Sequence, residues 1–327
     1  MGLLVATSAS PIDAASLAAH AIVPVRDVVL VVRELVGDAV VLGRFQRARS
    51  AVDVDALRAR GTPIVRRTAG GPALRVGEGM LHVCLRLPSP ASLGGVDDVQ
   101  RAFNRHVRPL LRALESLGAP ATWGGRDVVL MRGVPVVWLG LGHSAHTRAM
   151  ELEAIVAVTR DFALPSELDL ARAAIAPRFL GRAPGSLAQV LGGAPRRSLV
   201  SALVAAYESA VGLHAEAAGE DDLTCAPLAL DLDEQPFAAM VEEAIGLVGA
   251  RHEPEHRRVA IGGDLGASED ALEALERALH REGAQASEPQ LGALVDAHFG
   301  PSSGAATFGV KSLRSIAKAA FHALNGA

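Results

Sequence analysis

Hydrophobic positions along the chain follow two spacings, one typical of strands and one typical of helices. Apolar or β-branched runs of strand length occur at residues 28–32, 39–42, 80–87, 128–131, 134–139, 152–158 and 259–261. The first two runs flank a polar turn at Gly37-Asp38, and Arg132-Gly133 joins the fourth run to the fifth. Runs separated by short turns of this kind predict two β-hairpins.

Helical spacing of apolar residues is clearest at 96–117, where Gly118-Ala119-Pro120 ends the pattern. Ser268, followed by two acidic residues, is expected to cap a helix over 268–281. Further helices are predicted at 51–60, 168–174, 187–191, 199–211, 237–248, 290–297 and 313–324. Strands and helices in irregular order predict an α+β fold, because a doubly wound fold would alternate them regularly.

A stretch of small and acidic residues at 215–222 marks a change in the organisation of the chain. We expect a large domain at 1–218, a linker with a connecting helix at 219–250, and a small domain at 251–327. A chain of 327 residues is long enough for both domains to bury a core.

Composition excludes several classes of protein. The net charge of −4 and the 3% of aromatic residues argue against a nucleic-acid partner. No apolar run approaches the roughly 20 residues that a membrane-spanning helix needs, and no basic residue precedes Arg26, as a secretory signal would require. The two cysteines, Cys84 and Cys225, suit a reducing compartment. We therefore expect a cytoplasmic protein with no membrane or nucleic-acid partner.

Lysine is almost absent from the sequence. Its two lysines are Lys311 and Lys318, which lie on a predicted amphipathic helix and are expected to face solvent. Residues 1–310 therefore offer no lysine for chemistry.

The segment at residues 66–73 is the main candidate for binding a ligand. Two arginines, Arg66 and Arg67, precede the pair Gly70-Gly71, and Pro72 and Ala73 follow. Glycine lets the backbone approach a ligand closely, and its N–H groups can point at an anion, to which arginine adds bidentate charge. Pro72 has no N–H to donate. Taken alone, the spacing favours a tight turn with surface arginines over a ligand-binding loop.

Several motifs, in order along the chain, resemble the lipoate–protein ligase family of the biotin/lipoate ligase superfamily. Residues 63–71 resemble its Arg-Arg-x-x-Gly-Gly-Gly loop, although Pro72 replaces the third glycine. The other resembling segments are Gly43-Arg44-Phe45-Gln46, Gly125-Arg126-Asp127, Ser144-Ala145 with Arg148, residues 182–191 and Gly262-Gly263-Asp264-Leu265. The last of these resembles the start of the accessory domain of the family.

The resemblance implies a fold, a reaction and a set of ligands. The fold would be a mixed sheet packed with helices, plus a small C-terminal accessory domain. The family joins a medium-chain acid such as lipoate or octanoate to AMP, using ATP and Mg²⁺, and then transfers the acyl group to a lysine of a carrier domain. The implied ligand-binding residues here are Arg44, Arg66, Arg67, Gly70, Gly71, Pro72, Ala73, Arg126 and Asp127.

Polar positions of the family pattern are changed in this chain. Pro135 stands where the catalytic lysine of the family is expected, so no catalytic residue is assigned. Further candidates for the site are Arg132, His143 and His146, although an exposed or structural role is favoured over catalysis for the two histidines. No third ligand accompanies the histidines, so no metal site is predicted. Cys84 is expected to be a buried apolar residue, with a nucleophilic role as the alternative.

Three hypotheses for function follow. The first is a protein that binds a medium-chain acyl group or its adenylate, with the conventional ligase chemistry lost or altered. The second is an active ATP-dependent ligase or acyltransferase that uses Arg66, Arg67 or Arg132, with a carrier-domain lysine or a small amine as acceptor. The third is a subunit that needs a second chain to complete its site.

Overall fold

The structure is a computed structural model of the full chain. It describes residues 2–7, 12–17, 22, 24–93, 95, 97–170, 178–193, 196–217, 229–283, 285–300 and 302–326. Among these residues the fold is α+β, as the sequence predicts.

A mixed sheet forms the centre of the molecule. Its strands are β1 (Leu3–Thr7), β2 (Ile12–Asp13), β3 (Val28–Val36), β7 (Met80–Leu87), β8 (Ala121–Trp123), β9 (Val128–Met131), β10 (Val134–His143), β11 (Met150–Ala157) and β12 (Ala215–Ala217). In the described residues their order is β12-β1-β3-β7-β11-β10-β9-β8, and β2 pairs with β3 outside this path. The predicted hairpin of β9 and β10 is confirmed, with a bulge between Pro135 and Val137.

A second sheet stands beside it, consisting of β4 (Asp38–Leu42), β5 (Ile64–Arg66) and β6 (Leu74–Gly77) in the order β5-β4-β6. The strands predicted at 28–32 and 39–42 are present, but the prediction that they form a hairpin is wrong. Gly37, with φ of +70°, turns the chain sharply, so that β4 pairs with β5 and β6 while β3 pairs with β1 and β7.

Helices in the described residues are α1 (Ala48–Ala51), α2 (Val54–Ala59), α3 (Val99–Glu115), α4 (Leu187–Leu191), α5 (Arg196–Val211), α6 (Glu269–Glu282), α7 (Glu288–Phe299) and α8 (Arg314–Asn325). Apolar side chains of α3 and α5, such as Phe103, Leu110 and Leu203, pack against one face of the central sheet. The other face carries Trp138, Met80 and Ile155. Since β10 alternates between the faces, Leu139 and Trp138 belong to different layers.

The C-terminal unit contains its own three-stranded sheet, β13 (Ala239–Glu243), β14 (Gly246–Glu253) and β15 (Arg258–Gly263), covered by α6–α8. The helix predicted at 237–248 is wrong, because this segment is the β13–β14 hairpin. Its Ala, Met, Glu and Leu residues favour a helix in isolation, but pairing with β15 overrides that preference. Gly246 makes the turn with φ of +146°. A short antiparallel pair, β16 (Gly266–Ala267) and β17 (Thr307–Phe308), completes the unit.

Three further predictions need correction. The helix predicted at 51–60 is interrupted between α1 and α2, where Asp53 caps α2 by accepting a hydrogen bond from the N–H of Ala56. Residues 168–170 of the predicted 168–174 helix form a turn and a bridge to Val52, and 171–174 lie outside the described residues. Part of the predicted linker at 215–222 is strand β12; the rest, like Cys225, lies outside the described residues.

Lys311 and Lys318 are exposed and Cys84 is buried, as predicted, but Lys311 precedes α8 and does not lie on the predicted helix. Burial also raises the pKa of the Cys84 thiol well above its ordinary value, which disfavours the thiolate that a nucleophile needs. Across the described residues, none of the helices combines the length and the apolar character needed to cross a bilayer.

Candidate functional site

The glycine loop at residues 67–73 leaves β5 and returns into β6, between the central sheet and the C-terminal unit. Its backbone donors point at protein acceptors. Gly70 N–H donates to the carbonyl of Leu141 (3.2 Å), and Gly71 N–H donates to the carbonyl of Leu265 (3.3 Å). Ala69 N–H donates to the carboxylate of Glu153 (3.2 Å). The N–H groups expected to hold an anion are therefore already hydrogen-bonded within the chain.

Arg67 lies beneath the loop with only 3% of its surface exposed. Its guanidinium donates to the carbonyls of Val41 (3.0 Å), Gly70 (3.1 Å) and Pro72 (2.8 Å). Burial lowers the pKa of Arg67 to about 10, so it stays charged at neutral pH. Arg67 holds the loop in shape, since three of its contacts are main-chain carbonyls.

Arg44 and Arg66 lie above the loop, and both bind carboxylates that come much later in the chain. Arg44 forms an ion pair with Glu269, and Arg66 forms one with Glu234 at 2.8 Å. Burial, together with the nearby charge of Arg66, lowers the pKa of Arg44 to about 10. Arg44, Arg66 and Arg67, which the sequence selects as candidates, all lie at the loop, but the sequence gives no sign of the acidic partners of Arg44 and Arg66.

Trp138 is the side chain that β10 presents to the loop. It is fully buried, and the Arg67 guanidinium lies 3.9 Å from the centroid of its ring. A Cβ on Gly140 would come within 2.8 Å of the Cβ of Ala69, so this face of β10 packs tightly on the loop. From the sequence, Pro135 was selected as a position of the candidate site, whereas Trp138 was not. The alternation Trp138-x-Gly140-x-Gly142 was the available signal, because small residues on one face of a strand mark a close approach.

Asp127, just before β9, is fully buried. Neither carboxylate oxygen has a hydrogen-bond partner in the described part of the chain, and the nearest guanidinium nitrogen, Arg126 Nε, lies 3.5 Å from Oδ1. Burial raises the pKa of Asp127 to about 6, although Arg126 acts against the shift. The indole N–H of Trp138 and the Nε of Arg67 also lack hydrogen-bond partners among the described residues. Unsatisfied buried polar atoms are therefore concentrated around the loop.

The carboxylate of Asp264, from the C-terminal unit, is inserted beside the loop. Arg178, only 3% exposed, binds it through Nε (3.0 Å) and Nη2 (2.7 Å) and also contacts Asp169 (2.8 Å). The amide of Gln46 donates to the second oxygen of Asp264 at 2.6 Å. Burial alone would lower the pKa of Arg178, but its two carboxylate partners outweigh that effect and raise it.

Glycine packing brings the two units into direct backbone contact. A Cβ on Gly70 would lie 2.3 Å from the carbonyl oxygen of Leu265 and 2.5 Å from the Cα of Gly266. No side chain fits in that gap. The loop and the segment 262–265, both of which the resemblance selected, are therefore neighbours in space.

The remaining candidates lie away from the loop. His143 is buried against Ser268, with its Nδ1 2.8 Å from the hydroxyl, and burial lowers its pKa to about 4. Ser268 precedes α6 as predicted, but its hydroxyl makes this contact and does not cap the helix. His146 is exposed, and its N–H donates to Asp270 (2.6 Å). Arg132 is exposed in the β9–β10 turn and donates to the carbonyl of Val190 (3.1 Å). Among the described residues, no group of three or more His, Cys, Asp and Glu side chains is placed to hold a metal ion.

Comparison with known proteins bears directly on this region. The lipoyl protein ligase A/B catalytic domain matches residues 14–134, which contain the loop, its arginines and Asp127. Lipoate–protein ligase 2 of Staphylococcus aureus is 32% identical over 96 residues, which cover 29% of this chain and 26% of that protein. Residues 14–134 are therefore similar to the catalytic domain of lipoyl protein ligases.

A second relative, the octanoyltransferase LipM of an Exiguobacterium species, is 39% identical over 84 residues. These cover 25% of this chain and 29% of that protein. The aligned stretch thus spans little more than a quarter of the length of each of these two relatives.

Solved structures extend the similarity of the fold over most of the chain. Plasmodium falciparum LipL1, solved with lipoate, superimposes with a TM-score of 0.61 over 90% of this chain and 94% of its own, at 11% identity. The bipartite lipoate protein ligase of Thermoplasma acidophilum superimposes with a TM-score of 0.52 over 68% of this chain and 89% of its own, at 17% identity. The architecture is the α+β fold of biotin and lipoate ligases.

Proposed function

We propose that this chain belongs to the lipoate–protein ligase family and binds a medium-chain acyl group or its adenylate, with the conventional ligase reaction lost or altered. The observation that carries the proposal is the set of partners around the loop. Its N–H groups and arginines, which would hold a carboxylate and a phosphate, bind carbonyls and carboxylates of the same chain. The strand that faces the loop presents Trp138 and no lysine.

The residues around the loop support an acyl ligand, because they combine apolar side chains with unsatisfied polar atoms. Apolar side chains of the central sheet, including Met80, Trp138 and Ile155, share a buried cluster with Ala69 of the loop. Unsatisfied polar atoms of Asp127, Trp138 and Arg67 lie in the same region. A ligand with an apolar chain and a polar head matches this combination. The lipoate named for the Plasmodium structure and the octanoyl group named for the LipM relative are ligands of that kind.

We include ATP and a carrier domain in the proposal because of the resemblance to the lipoate–protein ligase family. Activation of an acid by ATP and Mg²⁺ would need the cations around the loop to be released from Glu234, Asp264 and Glu269. A lipoyl-type carrier domain is the proposed partner, by analogy with the lipoyl domain named beside the Thermoplasma ligase.

Two measurements on the purified full-length chain test the proposal. Calorimetry with octanoate and with a non-hydrolysable octanoyl-adenylate analogue should detect binding. ATP–pyrophosphate exchange with lipoate or octanoate should stay at background. Arg277→Ala, which changes an exposed arginine elsewhere, is the control for any variant of a loop arginine.

Each outcome separates the hypotheses. Absence of binding to both compounds would contradict an acyl-binding role. Robust exchange would contradict the loss of adenylation and favour the arginine-dependent ligase. In that case Arg66→Ala should abolish exchange while Arg277→Ala leaves it unchanged.

A further inference from the structure

One face of α3 carries a row of arginines. Arg101, Arg105, Arg108 and Arg112 recur at intervals of four, three and four residues, which places them on one side of the helix. At 1.5 Å per residue the row extends over about 16 Å. The buried residues Phe103, Val107, Leu110 and Leu114 follow the same spacing two positions later, so the row faces away from the core.

Among the described residues, these arginines lack carboxylate partners of the kind that Arg44 and Arg66 have. Arg101, Arg108 and Arg112 are exposed and form no ion pair with any residue in the described ranges. Arg105 is half-buried and donates to the carbonyl of Leu93. A row of four cations without counter-charges is notable in a chain whose net charge is −4.

The row borders a groove of about 310 Å³ between α3 and α5. Arg105, Arg108 and Arg112 line it, and Leu93, Pro109 and Ala210 supply a small apolar surface. The groove is thus concave and cationic, with a narrow apolar strip.

We propose that the row and its groove bind an acidic helix of a partner protein. The reason is a match of period and length: carboxylates at i, i+3 and i+4 of a helix repeat at the same spacing as these guanidiniums over three turns. A single phosphate group would engage only one end of a 16 Å row. The negative charge of the whole chain opposes a nucleic acid more strongly than a short acidic helix, because a duplex carries a much higher density of negative charge.

This surface is separate from the loop. Side chains of α3 share a core with Leu139 and Leu141 of β10, while the loop packs against Trp138 and Gly140 on the opposite face. The partner therefore binds behind the central sheet, and the inference does not depend on whether an acyl ligand binds.

Fluorescence anisotropy can test the inference with three labelled probes. They are a helical peptide of about 18 residues with glutamates along one face, a scrambled peptide of the same composition, and a short DNA duplex. The triple variant Arg101→Gln, Arg108→Gln, Arg112→Gln is compared with Arg58→Gln, Arg60→Gln, Arg277→Gln. The latter removes the same charge from exposed arginines that have acidic partners. Arg105 is kept because it also supports residue 93.

We expect the helical peptide to bind the native chain, and we expect its affinity to fall as the salt concentration rises from about 50 to about 200 mM. The affinity of the row variant for the helical peptide should be about tenfold lower than that of the native chain, because three ion pairs are lost. The affinity of the control variant should fall by less than about twofold. Equal binding of the scrambled peptide, equal loss in both variants, or tighter binding of the DNA would each overturn the proposal. Failure of the helical peptide to bind would do the same.

Discussion

The glycine loop and the face of α3 are both rich in arginine, yet their arginines differ in every physical respect. Around the loop, Arg67 and Arg178 are buried and hydrogen-bonded to carbonyls or carboxylates of the chain itself. On α3, Arg108 and Arg112 are exposed and unpaired within the described residues. The comparison teaches that an arginine motif indicates binding only after its internal partners are known.

Energetics separate the two regions as well. Removing one partner of a buried ion pair leaves an uncompensated charge in a medium of low dielectric constant, at a cost of about 3–5 kcal/mol. Exposed charges interact by well under 1 kcal/mol. Changes at the loop should therefore affect stability, whereas changes on α3 should affect association.

The largest effect should come from Asp264→Asn. The substitution removes the charge that neutralises Arg178 and weakens the contact with Gln46, so we expect a loss of about 3–5 kcal/mol in the free energy of unfolding. Urea denaturation measures the change. Asp296→Asn, at an exposed position of α7, is the control and should change stability by less than about 0.5 kcal/mol. Equal stability of the two variants would mean that the buried ion pair does not hold the units together.

A smaller, pH-dependent effect is expected for Asp127→Asn. Burial raises the folded-state pKa of Asp127 from 3.8 to about 6. The native chain should therefore lose stability as pH rises from about 4 to about 6, by up to about 3 kcal/mol from this group. The variant lacks that loss, so its stability relative to the native chain should increase over the same interval.

Unfolding curves of both proteins at several pH values measure this difference. His106 and His143, whose pKa values burial lowers to about 3 and about 4, act in the opposite direction, since they reduce stability as pH falls below about 6.5. Both proteins contain these histidines, so their effect cancels in the comparison. A difference that does not change with pH would contradict a buried, raised-pKa carboxyl at this position.

Gly70→Ala should cost about 1–3 kcal/mol, because its Cβ would overlap the backbone of Leu265 and Gly266. Gly292→Ala is a matched control within α7, where a Cβ has no neighbour within 4 Å. There the change should stabilise the helix by up to about 1 kcal/mol. Thermal unfolding should shift in opposite directions for the two variants; a neutral Gly70→Ala would refute the close contact between the units.

The smallest effect on stability should come from the triple glutamine variant of Arg101, Arg108 and Arg112. These side chains are exposed and unpaired in the described part of the chain, so we expect a change of less than about 0.5 kcal/mol per site. Thermal unfolding measures it. A loss as large as that of Asp264→Asn would assign the row a structural role and remove the contrast between the two regions.

Sequence patterns predicted the strands well where apolar residues follow one another closely or alternate with polar ones, as in β3, β7 and β11. They failed where neighbours far along the chain decide the structure. Residues 237–248 favour a helix locally, yet their pairing with β15 makes them a hairpin. Likewise, 28–32 and 39–42 are both strands, but Gly37 sends them into different sheets.

For the candidate site, too, the sequence revealed local features but not partners that lie far along the chain. Resemblance located the loop, Arg44 and the segment around Asp264, and the structure brings them together. No local pattern revealed that Glu234 and Glu269 would bind Arg66 and Arg44, since these partners are 168 and 225 residues apart. The sequence pattern did not select Trp138, because a tryptophan in an apolar strand is typical of an ordinary core residue.

The ion pair between Arg44 and Glu269 also sets the timing of folding during synthesis. The ribosome must add 225 residues after Arg44 before its partner exists. At about 5–20 residues per second this takes roughly 11–45 s. For that interval Arg44 lacks its carboxylate partner, although Glu234, the partner of Arg66, is made earlier. Leu265 and Gly266, whose backbone will cover Gly70, are made only shortly before Glu269. We expect the nascent N-terminal unit to engage chaperones until residues 265–269 emerge from the ribosome, and to complete its packing only then.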